Sequence, residues 1–263
     1  MVPWVAGASI LLALRVSAQD AAVPPASAPH VTTASVDYSH VSFEKGLDAW
    51  QLASVSLGNR AGWGSLIGRV NYAHRFGSDG AQMEVDAYPR LAPWLYAYAS
   101  LGYSASDIFP AWRSGGELFA SLPGAWETSL GYRQLRFGGA PVTLFTGAVG
   151  KYTGNYWFSV RPYVHATANG TSASAGLTAR RYFADGDHFL GARVSYGSTP
   201  PDQVSVDAAA LARVHSASAS VQGSGDLRAP VQLTWSLGYD REELAFGTIR
   251  RSWTVNGGLR VPF

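Results

Sequence analysis

Charged residues of this 263-residue chain recur at alternate positions within segments rich in apolar and aromatic side chains. If these segments lie in a membrane, an Arg directed at lipid costs on the order of 2 to 4 kcal/mol, so the charges must face an enclosed interior. Paired there, they would fill the interior and fix strand register; in excess, Arg would line a pore that selects anionic or sugar solutes. The candidates for the interior are Arg69, Glu84, Asp86, Glu117, Glu127, Arg133, Trp157, Arg161, Tyr163, Arg180, Arg193 and Arg260.

Aromatic residues in the same segments offer faces on which sugar rings could stack. They are Tyr96, Tyr98, Trp157, Tyr163 and Tyr182. The residues alone leave both interpretations open, a structural filling and a solute-selecting lining.

Catalysis and metal binding have little support. A surface hydrolase needs a His beside Ser, Asp or Glu, and His74 could meet Asp79 or Glu84 across a hairpin. A His near a carboxylate in a hairpin is more often a solvated pair, and no nucleophile lies at a telling spacing. With no Cys and no repeated His or carboxylate spacing, we expect no catalytic residue, no metal site and no cofactor.

Composition favours strands over helices. The chain has 29 Gly, 9 Trp, 13 Tyr and 11 Phe, which suits strands and tight turns. Its net charge of +2 provides no basic surface for nucleic acid. After the N-terminus, no apolar stretch approaches the ~18 residues that a spanning helix needs, so a closed barrel would have to cross any membrane.

The N-terminus predicts export. Residues 1–18 contain a short apolar run and a small-x-small cleavage pattern, as in a signal peptide, although an N-terminal helix of the folded domain is an alternative. Residues 19–30 form a Pro/Ala/Ser-rich disordered leader, and residues 31–263 form the barrel domain.

Period-two segments separated by turn residues predict about fourteen strands, or twelve if two of them fail. Long connections at 43–48, 104–112, 198–208 and 243–248 all fall at one end of the molecule, as in bacterial barrels. Trp50, Trp63, Trp94, Trp126 and Trp253 lie at strand ends, where aromatic girdles belong. The predicted fold is all-β, a transmembrane antiparallel up-and-down β-barrel. The strands are 31–42, 48–59, 63–77, 80–89, 93–103, 113–122, 125–138, 141–152, 155–168, 171–184, 187–198, 209–222, 230–242 and 249–263.

The final segment, 253–263, alternates apolar residues with small or polar ones and ends on Phe263. Its Asn256, Gly258, Val261 and Phe263 resemble the C-terminal signal that the barrel-assembly machinery reads. We expect this segment to close the barrel against residues 31–42, with Phe263 facing lipid.

Local strings from about residue 66 to 183 resemble the YaiO family of outer-membrane β-barrels. The strings are LIGRV at 66–70, RFG at 75–77, EVDAYP at 84–89, IFP at 108–110, GEL at 116–118, GYR at 131–133, GNYW at 154–157, RPY at 161–163 and RRYF at 180–183. The resemblance implies an outer-membrane location and a barrel of about this length, but no settled activity. Some family members are fused to or encoded beside glycosyltransferase-type machinery, which implies surface glycan export.

We therefore expect a monomeric outer-membrane channel or polysaccharide-export-associated barrel. One alternative is a structural or receptor barrel that presents its loops, and an outer-membrane enzyme is a weaker one. Ile108, Phe109, Pro110 and Trp112 would either fold inward as a constriction or project outward as a contact. Expected partners are outer-membrane lipid, lipopolysaccharide, the barrel-assembly machinery and a surface glycan, but no nucleic acid.

Overall fold

The computed structural model describes residues 30–75, 77–137, 141–167, 170–183, 186–198, 215–244 and 247–263. In these ranges, fourteen antiparallel strands form a closed barrel in which each strand pairs with its sequence neighbours and the first pairs with the last. The strands are β1 (Val31–Phe43), β2 (Trp50–Ala61), β3 (Gly64–Arg75), β4 (Ser78–Ala92), β5 (Leu95–Tyr103), β6 (Trp112–Leu122), β7 (Trp126–Arg136), β8 (Val142–Thr153), β9 (Tyr156–Thr167), β10 (Gly170–Tyr182), β11 (Phe189–Gly197), β12 (His215–Arg228), β13 (Val231–Glu243) and β14 (Ile249–Pro262). The all-β barrel with fourteen strands is confirmed. The predicted signal peptide, 1–18, and all but the last residue of the leader, 19–30, lie outside the described residues.

Alternation along the strands separates an apolar outside from a polar inside. In β14, Trp253, Val255 and Leu259 are exposed on the outer surface, whereas Thr254 and Asn256 are buried inside. The same division holds for β3, β9 and β13. β14 pairs with β1 from Thr33 opposite Pro262 to Phe43 opposite Ser252, which is the predicted closure.

The four connections predicted to be long lie at one end of the barrel, as predicted. The end opposite the termini carries the long connections 44–49, 104–111, 198–214 and 244–248, and a single 3₁₀ turn, Glu44–Gly46, lies in the first of them. The end near the termini carries short turns at 62–63, 93–94, 123–125, 154–155 and 229–230. The predicted strands 171–184 and 187–198 leave only a short turn between them, and this prediction is wrong. β10 ends at Tyr182 and β11 begins at Phe189, so the connection spans 183–188.

Four of the five predicted girdle tryptophans are exposed on the outer surface: Trp63, Trp94 and Trp126 near the termini and Trp253 toward the opposite end. Trp50 is the exception. It shares its strand face with Leu52 and Ser54, which point inward, so only 9% of it is exposed. Its ring packs edge-on against Phe43, with the centroids 4.6 Å apart.

None of the helices in the described ranges is long and apolar enough to cross a membrane.

Candidate functional site

Ion pairs between neighbouring strands fill one side of the barrel interior. Glu84 on β4 bridges two arginines: its Oε2 lies 3.0 Å from Nη1 of Arg69 and its Oε1 lies 2.7 Å from Nη1 of Arg113. Arg69 also lies 3.4 Å from Asp86, which accepts a hydrogen bond from the Tyr98 hydroxyl at 3.1 Å. Strands β3 to β6 are thereby joined through their inward side chains.

A second bridge joins β6, β7 and β9. Glu117 pairs with Nη2 of Arg133 and with Nη1 of Arg161, at 2.7 Å each. The Glu117 side chain is 0% exposed and both arginine side chains are 2% exposed. Arg133 also lies over the Tyr98 ring, 4.6 Å from its centroid, which connects the two bridges. Two cations that water scarcely reaches therefore share one carboxylate, and the three side chains together carry a net charge of +1.

Aromatic rings complete this packed side. Tyr96 stacks on Phe119 with centroids 4.6 Å apart and 7° between the planes. Tyr98, Trp157 and Tyr163 are also buried. The prediction that these four aromatic residues present stacking faces to sugars is wrong, because neighbouring side chains already cover their rings. Tyr182, at the end of β10, is partly exposed.

The connection 104–111 folds into the mouth of the barrel at the end opposite the termini. Ile108 and Phe109 pack against Leu52 and Ala73 on the inner surface, and Phe109 is 1% exposed. Arg75 donates a hydrogen bond to the Ile108 carbonyl, and its guanidinium lies 4.9 Å from the Phe109 ring centroid. Of the two predicted arrangements, the inward one is therefore present for Ile108, Phe109 and Pro110, whereas Trp112 is exposed on the outer surface.

The inner surface of β11, β12 and β13 differs from the packed side. Its side chains are mostly small and hydroxylated, and they are partly exposed rather than buried. Ser195 and Ser218 face each other across β11 and β12 with their hydroxyl oxygens 2.6 Å apart. We call the middle of this surface the hydroxyl wall; its residues are Arg193, Ser195, Ser216, Ser218, Ser220, Gln222, Ser224, Gln232, Thr234 and Ser236. The same inward face continues to the carboxylates Asp240 and Glu242 at one end and Asp226 at the other.

Arg193 is the cation of the hydroxyl wall. It lies between Thr178 and Ser220 in the strand register, and its guanidinium lies across Gly176, where an ideal Cβ would be 3.2 Å from Nη2. Within the described residues, Arg193 forms no ion pair, and its side chain is partly exposed.

The remaining predicted interior residues also face inward. The Arg180 guanidinium lies between the rings of Trp157 and Phe189, 5.7 and 4.4 Å from their centroids. Glu127 accepts a long hydrogen bond of 3.5 Å from Tyr96. Arg260 lies 4.0 Å from Asp187 near the chain termini.

Four buried charged residues escaped the sequence prediction: Asp37, Arg75, Arg113 and Arg250. Less buried inward charges, such as Glu242 beside Arg250, escaped it too. The period of two was sufficient to find all four, since Asp37 alternates with the outward Val36 and Tyr38. Arg75 has the parity of Arg69, Arg113 has the parity of Glu117, and Arg250 has the parity of Asn256 and Arg260. Asp37 lies opposite Gly258, where an ideal Cβ would be 2.1 Å from its Oδ1. Any side chain at 258 would therefore collide with this carboxylate.

The histidine with a carboxylate neighbour lies at the surface. Nδ1 of His74 is 2.9 Å from Oδ1 of Asp79, with 43% and 58% of the two side chains exposed. The Tyr72 hydroxyl donates to the same carboxylate oxygen at 2.7 Å. Among the residues that the structure describes, no group of three His, Cys, Asp or Glu could hold a metal ion.

A closed antiparallel barrel with an apolar outer surface, charged residues inside and long connections at the end opposite its termini defines an outer-membrane β-barrel. Residues 31–202 match the YaiO membrane beta barrel domain, and the chain belongs to the YaiO family. The predicted family and outer-membrane location are confirmed.

Two solved structures share the fold. The outer membrane protein Omp33 of Acinetobacter baumannii is 12% identical with a TM-score of 0.53, over 89% of this chain and 99% of that chain. An outer membrane channel of Pseudomonas putida F1 is 14% identical with a TM-score of 0.53, over 92% of this chain and 97% of that chain. At these identities the likeness concerns the fold alone. No curated protein matches the chain.

Proposed function

We propose that this barrel is a passive channel for small hydrophilic solutes and that it prefers anions. The observation that carries the proposal is the difference between the two sides of the interior. Inward side chains from β3 to β9 are largely buried in ion pairs and aromatic contacts, whereas the hydroxyl wall is accessible. A solute path would therefore run beside the hydroxyl wall, off the barrel axis.

Hydroxyl groups suit this role because they exchange hydrogen bonds with a passing solute or its water shell. Small side chains on β12, such as Ser218 and Ser220, also leave space that larger ones would occupy. The connection 104–111 folds inward at the end of the barrel opposite the termini, so the path would be narrowest near Phe109.

Anion preference follows from how the interior charges are arranged. Arg69, Arg113, Arg133 and Arg161 all touch a carboxylate, and Glu84, Asp86 and Glu117 together balance three of their four charges within the packed side. Among the described residues, no carboxylate forms an ion pair with Arg193, and Arg193 lies on the partly exposed hydroxyl wall. An uncompensated cation beside a water-filled path attracts anions and repels cations.

A polysaccharide cargo is less favoured than small solutes. Sugar passage is aided by exposed aromatic faces, and the rings of Tyr96, Tyr98, Trp157 and Tyr163 are covered. The exposed His74–Asp79 pair gives no support to an enzymatic role, because no nucleophile is placed against it among the described residues. The proposal is of a monomeric, non-enzymatic channel.

Planar-bilayer recording of the refolded protein tests the proposal. We expect discrete conductance steps and, in a KCl gradient, a reversal potential that indicates chloride preference. Arg193→Gln should reduce that preference. Arg241→Gln, which removes an arginine at an outward-facing position of β13, is the matched control and should leave it unchanged. A silent bilayer with folded protein would overturn the channel, and unchanged selectivity in Arg193→Gln would overturn the role of Arg193.

A further inference from the structure

We propose that the lipid-facing side chains of Lys151 and Arg181 bind the headgroup of an anionic glycerophospholipid in the inner leaflet of the outer membrane. The proposal rests on the barrel and its orientation, and it is independent of whether the lumen conducts. Both residues are cations on an outer surface that is largely apolar.

Strand parity directs both cations outward. Lys151 follows Phe145 and Val149 at alternate positions of β8, and both of these are exposed on the apolar surface. Arg181 follows Leu177 in the same way on β10. Neither residue can therefore join the ion pairs of the interior.

The two cations flank one strand. Lys151 pairs with Phe158 of β9, and Arg181 pairs with Tyr156 of the same strand. Two inter-strand spacings of ~4.8 Å and an offset of two residues along β9 place the two backbone positions roughly 12 Å apart. Extended Lys and Arg side chains span that distance from either side. Lys151, whose ammonium lies against Trp126 of β7, turns toward β9 to share a headgroup with Arg181.

Aromatic rings support each cation at the membrane interface. The Lys151 ammonium lies 4.7 Å from the centroid of the Trp126 ring. The Arg181 guanidinium lies 5.9 Å from the Tyr156 centroid and 5.4 Å from that of Phe183. Exposed Trp and Tyr rings mark the headgroup level of a bilayer. The cations are therefore placed where lipid phosphates lie.

Charge and orientation identify the lipid. Within the described residues, neither Lys151 nor Arg181 forms an ion pair, although Lys151 donates a hydrogen bond to the Gly124 carbonyl. On the opposite rim, by contrast, Arg251 pairs with Glu44 at 3.1 Å. Lys151 and Arg181 lie at the end of the barrel that carries the termini, which faces the periplasm. The lipid in reach there belongs to the inner leaflet, and two uncompensated cations favour an anionic headgroup.

Native mass spectrometry of the folded full chain in detergent tests the site, with phosphatidylglycerol and phosphatidylcholine as probes. At about one kcal/mol for each basic residue, removing both charges predicts a loss of about thirtyfold in phosphatidylglycerol affinity. The variant is Lys151→Gln with Arg181→Gln. The matched control, Arg241→Gln with Arg251→Gln, removes two arginines near the opposite rim and should leave binding unchanged.

We expect wild type to prefer phosphatidylglycerol and the first variant to bind both lipids equally. Circular dichroism and heat modifiability establish that each variant remains a folded barrel. Equal binding of the two lipids by wild type would overturn the proposal, as would equal losses in both double variants. Because the readout is lipid binding, absence of conductance would count against the channel and leave this site standing.

Discussion

Replacing Glu117 with Gln removes the one carboxylate that two buried arginines share. Glu117 lies 2.7 Å from both Arg133 and Arg161, and none of the three side chains is more than 2% exposed. The substitution keeps the shape of the side chain and removes its charge. Two buried guanidinium groups are then left without a compensating anion.

The expected cost is large because water cannot replace the missing charge. Removing one partner from a buried ion pair costs about 3 to 5 kcal/mol. The Gln oxygen still accepts a hydrogen bond, so we expect a value near the lower end, about 3 kcal/mol. Glu44→Gln is the matched control: its pair with Arg251 is 3.1 Å long but 40 to 44% exposed, and its loss should cost less than about 1 kcal/mol.

The free energy of unfolding in urea, measured with the barrel in lipid vesicles, gives both values. A third variant identifies the cause: Glu117→Gln combined with Arg133→Gln removes one of the two stranded cations. If uncompensated charge is responsible, this double variant is more stable than Glu117→Gln alone. A loss for Glu117→Gln no greater than that for Glu44→Gln would refute the reasoning, as would a double variant that is less stable than the single one.

Three further changes test other parts of the barrel. Gly131→Ala should destabilise the barrel by about 1 to 3 kcal/mol in the same urea titration, because an ideal Cβ there lies 2.6 Å from the Glu117 Cβ; Gly68→Ala, with nothing within 4 Å, should be close to neutral. Phe109→Ala should raise single-channel conductance by opening the mouth, and an unchanged conductance would place the constriction elsewhere. Deletion of Phe263 should lower the yield of heat-modifiable barrel in cells and leave the conductance of each folded molecule unchanged, since the residue is 74% exposed outside the lumen.

The period of two in the sequence was sufficient to predict the fold and to predict whether a strand residue faces the interior or the outer surface. Leu66 and Arg69 differ by an odd number of positions in β3, and they lie on opposite faces as a strand requires. The same rule places Arg113 on the inward face with Glu117, because the predicted strand 113–122 contains both residues. Trp50 was misplaced because its residue type, rather than its parity, decided the prediction.

Parity could not distinguish the packed side from the hydroxyl wall. Ser39 and Ser218 are both inward serines in similar segments, yet Ser39 is buried and Ser218 is partly exposed. The difference depends on which long side chains from other strands fold over each serine, and that is a property of the closed barrel. The inward fold of Ile108 likewise depends on Arg75, 33 residues away, which donates to its carbonyl.

The contrast between the two sides of the interior makes this barrel adjustable. Substitutions that enlarge Ser218 or Ser220 add volume to the partly exposed hydroxyl wall, so they change the interior by steps without displacing the Glu117 bridge. The packed side, which ion pairs and aromatic contacts hold together, stays the same in each variant. If the proposed channel conducts, altering β11 to β13 alone gives nanopores of graded bore, with a constant frame and one variable surface.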